Sequence, residues 1–197
     1  RLNGIRWVSE MSSAPVKSAI LLAGLYAEGE TIYEETIPSR DHTERFLEKF
    51  GAPFRRAGKV LSIRKAKRLD PIQFEVPGDI SSAAFFITAA AIVPGSDLVV
   101  RNVNLNPTRT GIIEVLKLMG ANISIEITKD DCEPVGNIYV KGSRLSGVVI
   151  DQHLIPSLID ELPVLMVACA LAKGSSEIKG AQELRVKETD RIQSMAT

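Results

Sequence analysis

A chain of 197 residues with 45% apolar side chains can bury one large core or two small ones, and only 5% aromatics points to aliphatic packing. Its 24 basic and 24 acidic residues cancel, which excludes a global electrostatic bias toward nucleic acid or an acidic membrane. Two cysteines are too few for a disulfide framework. Cys169 lies in an apolar run and is expected to be a buried thiol, in keeping with a reducing, cytoplasmic setting.

The apolar stretches at 83–93 and 164–171 are interrupted or too short to span a bilayer, so no membrane partner is expected. Neither terminus resembles a targeting segment. The chain starts at Arg1 rather than Met and stops at Thr197 inside an expected helix, so it reads as a piece of a longer protein.

Taken in order, the elements repeat one plan: a short strand, an apolar helix, a turn glycine, a strand, an amphipathic helix and a strand pair. The first unit runs from a strand at 5–8 to a helix over 16–27, Gly29, a strand over 30–37 and a helix over 40–50 closed by Gly51. A hairpin of 53–54 with 60–63 completes it. The second has a strand at 72–76, a helix over 80–93, Gly95, a strand over 96–103, a helix over 108–119 closed by Gly120, and a hairpin of 122–128 with 137–140. The third has a strand at 148–150, a helix over 160–172, Gly174, a strand over 175–181 and a helix from about 186. Glycine after an apolar helix is the expected left-handed stop, and the β-branched run that follows favours a strand. Phe46, Leu47 and Phe50 form one face of the 40–50 helix, with Glu44, Glu48 and Lys49 opposite; Ile112, Ile113, Val115, Leu116 and Met119 repeat the pattern.

These β-α-β-α-β-β units, complete twice and begun a third time, predict an α/β fold with helices on one face of each small sheet. Pro71 and Pro77 bracket the boundary expected between two domains, 1–73 and 74–197. Arg55, Arg56, Lys59, Arg64, Lys65, Lys67 and Arg68 form a basic hairpin without aromatic interleaving, which reads as a solvated surface.

Polar residues recur at the helix starts. Ser12 and Ser13 precede the first helix, Asp79 with Ser81 and Ser82 the third, and Asp160 with Glu161 the fifth, each a candidate cap. The stretch S-R-D-H at 39–42 and L-R-V-K-E-T-D-R at 184–191 occupy matching second-helix starts. In a helix, Lys187 and Arg191 fall at i and i+4, and Glu188 meets Arg191 at i+3. Helix starts carrying serine and cations suit phosphate and carboxylate groups, and Asp160 and Glu188 are candidates for proton transfer between them. His42 and His153 have no partner at ligand spacing, and no G-x-G-x-x-G or P-loop occurs, so neither a metal nor a nucleotide cofactor is expected.

The motif R-V-K-E-T-D-R-I at 185–192 resembles the signature of the 5-enolpyruvylshikimate-3-phosphate synthase family. The segments S-A-P-V-K-S-A at 13–19, S-R-D-H-T-E-R at 39–45, V-P-G-D-I-S-S-A at 76–83 and I-D-E-L-P at 159–163 are similar to that family too, so the resemblance covers nearly the whole chain. It implies the enolpyruvyl transferase fold, an inside-out α/β barrel of two domains that close over their substrates. Residues 1–73 would be the last part of the central domain and 74–197 the first part of the second.

The implied reaction moves the enolpyruvyl group of phosphoenolpyruvate to the 5-hydroxyl of shikimate-3-phosphate, in aromatic amino-acid biosynthesis, by a monomeric protein with no cofactor and no nucleic-acid partner. By position, Ser13, Ala14, Ser39 and Arg40 would hold the phosphate and ring of shikimate-3-phosphate. Asp160 would take the hydroxyl proton, Lys187 would contact that hydroxyl, Glu188 would act as acid toward the methylene carbon, and Arg191 would clamp the phosphoenolpyruvate carboxylate. The family has Gln where this chain has Pro15, Ser in some members at Ala14 and Asn in some at Glu183. The piece alone would lack half of the substrate cage and be inactive. UDP-N-acetylglucosamine enolpyruvyl transferase shares the fold and is the alternative, disfavoured by the missing cysteine loop. A non-catalytic phosphate- or RNA-binding module is disfavoured by the neutral charge and scarce aromatics.

Overall fold

The computed structural model describes residues 1–186 and 189–196. The chain divides into two compact units, Arg1–Glu75 and Val76–Thr197.

In the first unit, β1 (Arg6–Ser9) leads into α1 (Ala14–Gly24), β2 (Glu30–Glu35), α2 (His42–Lys49) and the hairpin of β3 (Phe54–Ala57) and β4 (Val60–Arg64). The sheet order is β1-β2-β4-β3, with β1 and β2 parallel and the remaining pairs antiparallel. Leu21, Leu25, Tyr33, Leu47, Leu61 and Ile63 make its core. Leu61 and Ile63 point inward along β4 at the period of two that the sequence offers. Gly24 lets α1 press onto the sheet, since a Cβ there would meet Ile63 Cγ2 at 2.5 Å.

In the second unit, α3 (Ile80–Ile92), β5 (Asp97–Asn104), α4 (Gly111–Leu118), β6 (Asn122–Asp130) and β7 (Pro134–Lys141) repeat the plan, with sheet order β5-β7-β6. The expected strand at 72–76 does not form. Its flanking prolines cannot donate to a ladder, and only Gly78 among the described residues there makes a bridge, in parallel, to Val103: its N–H donates to the Asn102 carbonyl and its carbonyl accepts from Asn104 N–H. That bridge stands where β1 stands in the first sheet.

The third repeat adds β8 (Val149–Ile150), a 3-10 turn at Gln152–Leu154, α5 (Ile155–Leu158), α6 (Leu162–Leu171), β9 (Glu177–Ile178), a 3-10 turn at Gln182–Val186 and α7 (Arg191–Ala196). β8 and β9 pair in parallel. Ile80, Ile87, Ile112, Leu116, Ile138, Leu162, Leu165 and Leu184 share one core, which is why α3, α4 and α6 converge. Each isoleucine or leucine fully buried there contributes about 1.5–3 kcal/mol.

Gly29, Gly51, Gly95, Gly120 and Gly174 all have positive φ, as the helix-stop reading requires. Other expectations shift. The 160–172 helix starts at Leu162, because Pro163 in its first turn has no N–H to continue the ladder from α5, and the two helices meet at 118°. The 175–181 strand is reduced to two residues. Cys132 is the buried cysteine, and Cys169 is only partly covered. Among the described residues, no single helix is long and apolar enough to cross a membrane.

Candidate functional site

In the first unit the polar helix starts follow the ends of the strands that precede them, the edge where α/β sheets present ligand-binding groups; in the second, α3 follows the Gly78 bridge and α6 follows α5. In the first unit, β1 ends at Ser9 and β2 at Glu35, and α1 and α2 begin beyond them. Ser13 caps α1 by accepting from Val16 N–H at 3.4 Å. Ala14 is the first helical residue and Pro15 the second, where a missing N–H costs nothing. Ser12 Oγ donates to the Pro38 carbonyl at 3.0 Å, which draws the start of α1 to the segment that carries Ser39 and Arg40. All four residues assigned by sequence to this unit, Ser13, Ala14, Ser39 and Arg40, therefore gather at one edge. Arg40 precedes α2 instead of lying in it, because the helix starts at His42.

Behind that edge lies a buried charge cluster that sequence reasoning missed. Lys17, on α1, is wholly buried; its Nζ is 3.0 Å from Glu35 Oε1 and 2.6 Å from Glu44 Oε1. Glu44 was expected on the solvent face of its helix, yet it is 1% exposed because Lys17 reaches it from α1. Burial pushes its carboxyl above the ordinary glutamate value, and the Lys17 ammonium only partly opposes this. Ser39 N–H and Oγ both donate to Glu35 Oε1, at 3.2 and 2.6 Å, and Lys17 Nζ donates to the Ser39 carbonyl at 3.4 Å. The signal was present: a lysine inside the apolar run V-K-S-A-I-L-L, on a helix whose other residues are built to be covered.

The basic hairpin is a partnered surface. Arg56 reaches Asp41 at 3.3 Å, Arg64 pairs with Glu30, and Lys65 pairs with Glu28.

In the second unit Asp79 caps α3, accepting from Ser81 and Ser82 N–H at 3.2 and 3.0 Å. Burial raises its carboxyl, but these donors, the Ser82 hydroxyl and Arg109 outweigh it and hold the group below its ordinary value. Arg109 is positioned by a chain of side-chain bonds: Glu133 Oε2 accepts from Asn104 and Asn106, and Asn106 Oδ1 accepts from Thr108 N–H and Oγ. From there Arg109 Nη2 donates to Ser81 Oγ and lies 3.3 Å from Asp79 Oδ1 and 3.7 Å from Glu161 Oε1. Ser81 Oγ in turn donates to Glu161. The starts of α3, α4 and α6 are thus joined through one guanidinium. This arrangement overturns Asp160 and Glu161 as helix caps: Glu161 stands at the cap position with no capping bond, and its carboxylate turns inward.

Asp160 sits in the bend between α5 and α6, and its Oδ1 accepts from Arg191 Nη1 at 3.2 Å; the two side chains are 35% and 23% exposed. Two residues assigned by sequence from opposite ends of a 31-residue separation are therefore in contact. The octapeptide does not open a helix at about 186. A 3-10 turn ends at Val186, and α7 begins at Arg191 with Asp190 accepting from Gln193 N–H at 3.0 Å. That backbone donor and Arg185, 2.9 Å away, hold the Asp190 carboxyl below its ordinary value. The assignments to Lys187 and Glu188 lie outside the described residues. Among the described residues, no group of three or more His, Cys, Asp or Glu side chains is placed to hold a metal ion.

Comparison with known proteins shows the family and the fold. The family model described as EPSP synthase (3-phosphoshikimate 1-carboxyvinyltransferase) matches residues 1–197. The chain is 53% identical over 196 residues to the 3-phosphoshikimate 1-carboxyvinyltransferase of Geotalea daltonii, covering 99% of this chain and 46% of the relative. Against the protein of the same name from Methylococcus capsulatus it is 50% identical, covering 100% and 45%. A solved structure of EPSP synthase from Acinetobacter baumannii superposes with a TM-score of 0.90 at 48% identity, over 100% of this chain and 44% of that one. The enolpyruvyl transferase NikO from Streptomyces tendae, at 16% identity and a TM-score of 0.62 over 80% and 38%, shares the fold. The chain spans about half the length of the curated relatives it matches.

Proposed function

The chain belongs to the EPSP synthase (3-phosphoshikimate 1-carboxyvinyltransferase) family, and from that premise we propose that the whole protein transfers the enolpyruvyl group of phosphoenolpyruvate to the 5-hydroxyl of shikimate-3-phosphate. The hydroxyl oxygen adds to C2 of phosphoenolpyruvate while a proton reaches its methylene carbon. Loss of phosphate from the tetrahedral intermediate, with return of that proton, leaves the enol ether. Such chemistry needs an acid and a base on one carbon skeleton and cations against two phosphates and a carboxylate.

In this reading, Asp160 takes the hydroxyl proton, Lys187 contacts the hydroxyl and Glu188 serves the methylene carbon. Arg191 clamps the phosphoenolpyruvate carboxylate. Ser13, Ala14, Ser39 and Arg40 meet the phosphate and ring of shikimate-3-phosphate. The two units would belong to two domains, residues 1–73 closing the central one and 74–197 opening the other. We place the protein in the cytoplasm, without a nucleic-acid or membrane partner.

The observation that carries the reading is the Asp160–Arg191 pair, a part-exposed carboxylate held 3.2 Å from a guanidinium in a bend between two helices. A carboxylate in that position can be freed as base when an anionic substrate takes over the arginine. The test is phosphate release by the full-length enzyme. D160N should lower kcat by about 100-fold or more, as loss of a general base does. R191M should raise KM for phosphoenolpyruvate by about 10-fold or more while binding of shikimate-3-phosphate holds. Absence of phosphate release from the parent enzyme with these substrates, or release with UDP-N-acetylglucosamine as acceptor, would refute the reading.

A further inference from the structure

The cluster behind Ser39 has more ionic groups than stability calls for. Lys17, Glu35 and Glu44 are 0%, 5% and 1% exposed, and they place one cation between two carboxylates. Taking three ions out of water is repaid only by close geometry, and apolar side chains of similar volume would serve folding as well or better. A cluster retained at that cost needs a further use, and its contacts indicate one.

Each polar group of Ser39 ends on this cluster. Its N–H and its hydroxyl both donate to Glu35 Oε1, and its carbonyl accepts from Lys17 Nζ. Glu35 is the last residue of β2, Lys17 lies in the second turn of α1, and Glu44 lies in the first turn of α2. Three rigid elements therefore set the position of a segment, 36–41, that has no helix or strand of its own to fix it. Neither carboxylate oxygen of Glu44 has a partner of hydrogen-bond geometry among the described residues, and its Oε1 makes the ion pair with the Lys17 ammonium at 2.6 Å. It draws Lys17 toward α2 while Glu35 draws it toward the strand.

We infer that Lys17 and Glu35, with Glu44 behind them, are positioning residues that hold Ser39 and Arg40 in the register needed to receive the phosphorylated ring substrate. This rests on the assignment of Ser39 and Arg40 to that substrate. Neither Lys17 nor Glu35 touches the reacting atoms; they act through the segment they pin. The cluster lies wholly within the first unit, so its effect falls on the acceptor and leaves recognition of phosphoenolpyruvate alone.

The test uses the full-length enzyme and three variants: S39A, E35Q and the triple K17M/E35M/E44M, which replaces the cluster with apolar side chains of similar volume. The triple variant should unfold within a few degrees of the parent, yet bind shikimate-3-phosphate about 10- to 100-fold more weakly, the loss expected when charge-assisted hydrogen bonds disappear. Its KM for phosphoenolpyruvate should stay within about threefold of the parent's, and S39A added to it should cost little more, because both changes remove one interaction. A triple variant that binds shikimate-3-phosphate as the parent does, while S39A binds it weakly, overturns the positioning role. Parent-like binding by S39A itself overturns instead the assignment of Ser39 to the substrate. Should the triple variant not fold, E35Q decides: it keeps the shape and loses the charge, so parent-like affinity beside a weakened S39A refutes the inference.

Discussion

Replacing Arg109 with methionine tests whether one guanidinium holds the starts of α3, α4 and α6 together. The Arg109 side chain is 14% exposed and Glu161 1%, and their charged atoms are 3.7 Å apart. At an effective dielectric constant of 20, a pair at this distance is worth about 4–5 kcal/mol before the cost of drying the two ions. R109M keeps that cost for Glu161 and removes the gain, leaving the Ser81 hydroxyl as a donor to its carboxylate. Breaking a buried pair in this way typically costs about 3–5 kcal/mol. The Asp79 contact adds under about 1 kcal/mol, since Asp79 is half-exposed. Thermal unfolding of the full-length protein reads the loss as a fall of about 10 °C, if the second unit melts as one cooperative body. The companion variant R109M/E161M removes both ions and should recover most of the difference, giving a coupling energy of about 2–3 kcal/mol in the double-mutant cycle. A shift of only a degree or two for R109M, or additive effects of the two substitutions, would mean that the helix starts are held by apolar packing alone.

Two further outcomes follow from the first unit. Glu44 has its carboxyl raised by burial, so the folded state takes up a proton more readily than the unfolded one, and this group favours folding below the ordinary glutamate range and loses that contribution as pH rises through its folded value. E44Q should therefore raise the melting midpoint at neutral pH, and the gain over the parent should shrink toward zero as pH falls below the ordinary value of 4.5; a gain that is constant with pH, or a loss at pH 7, contradicts the account. Pro15, where the family resemblance implies Gln, is the second residue of α1, where a backbone N–H has no intrahelical acceptor; P15Q should leave the midpoint nearly unchanged and lower KM for phosphoenolpyruvate in the full-length enzyme, and an unchanged or higher KM refutes the alignment at that position.

The repeat was legible because its punctuation is local. Glycines at 29, 51, 95, 120 and 174 take a backbone conformation that other residues avoid, and no tertiary contact is needed to read them. The apolar stripe of α4 was legible for a similar reason, since periodicity alone assigns Ile112, Ile113, Val115 and Leu116 to the core. What failed depended on partners distant in sequence. Glu44 looks solvated on its own helix, and only Lys17, 27 positions earlier, makes burial tolerable. Residues 72–76 have strand-forming side chains, but a strand needs a neighbour with matching donors, and among the described residues the pairing with β5 is made at Gly78 instead. Asp160 and Glu161 look like paired caps, yet the bend at Pro163 sends the first to Arg191 and the second to Arg109.

The two units share a topology without sharing their wiring. In the first, a lysine from the first helix gathers acids from the end of β2 and from α2. In the second, an arginine in the turn just before the second helix gathers acids from the starts of α3 and α6. The residues differ in type and in repeat position, so these networks cannot be an obligatory part of folding a β-α-β-α-β-β unit. The fold supplies only helix starts at the strand ends. Each cation then fixes a different neighbour: Ser39 in one unit, and in the other Glu161, whose preceding residue is Asp160. Repeat position alone aligns Lys17 with Ala83 and Arg109 with Arg40, so a search for the counterpart of Lys17 would miss the second network, because what recurs is the need to immobilise a polar segment rather than the residue that does it.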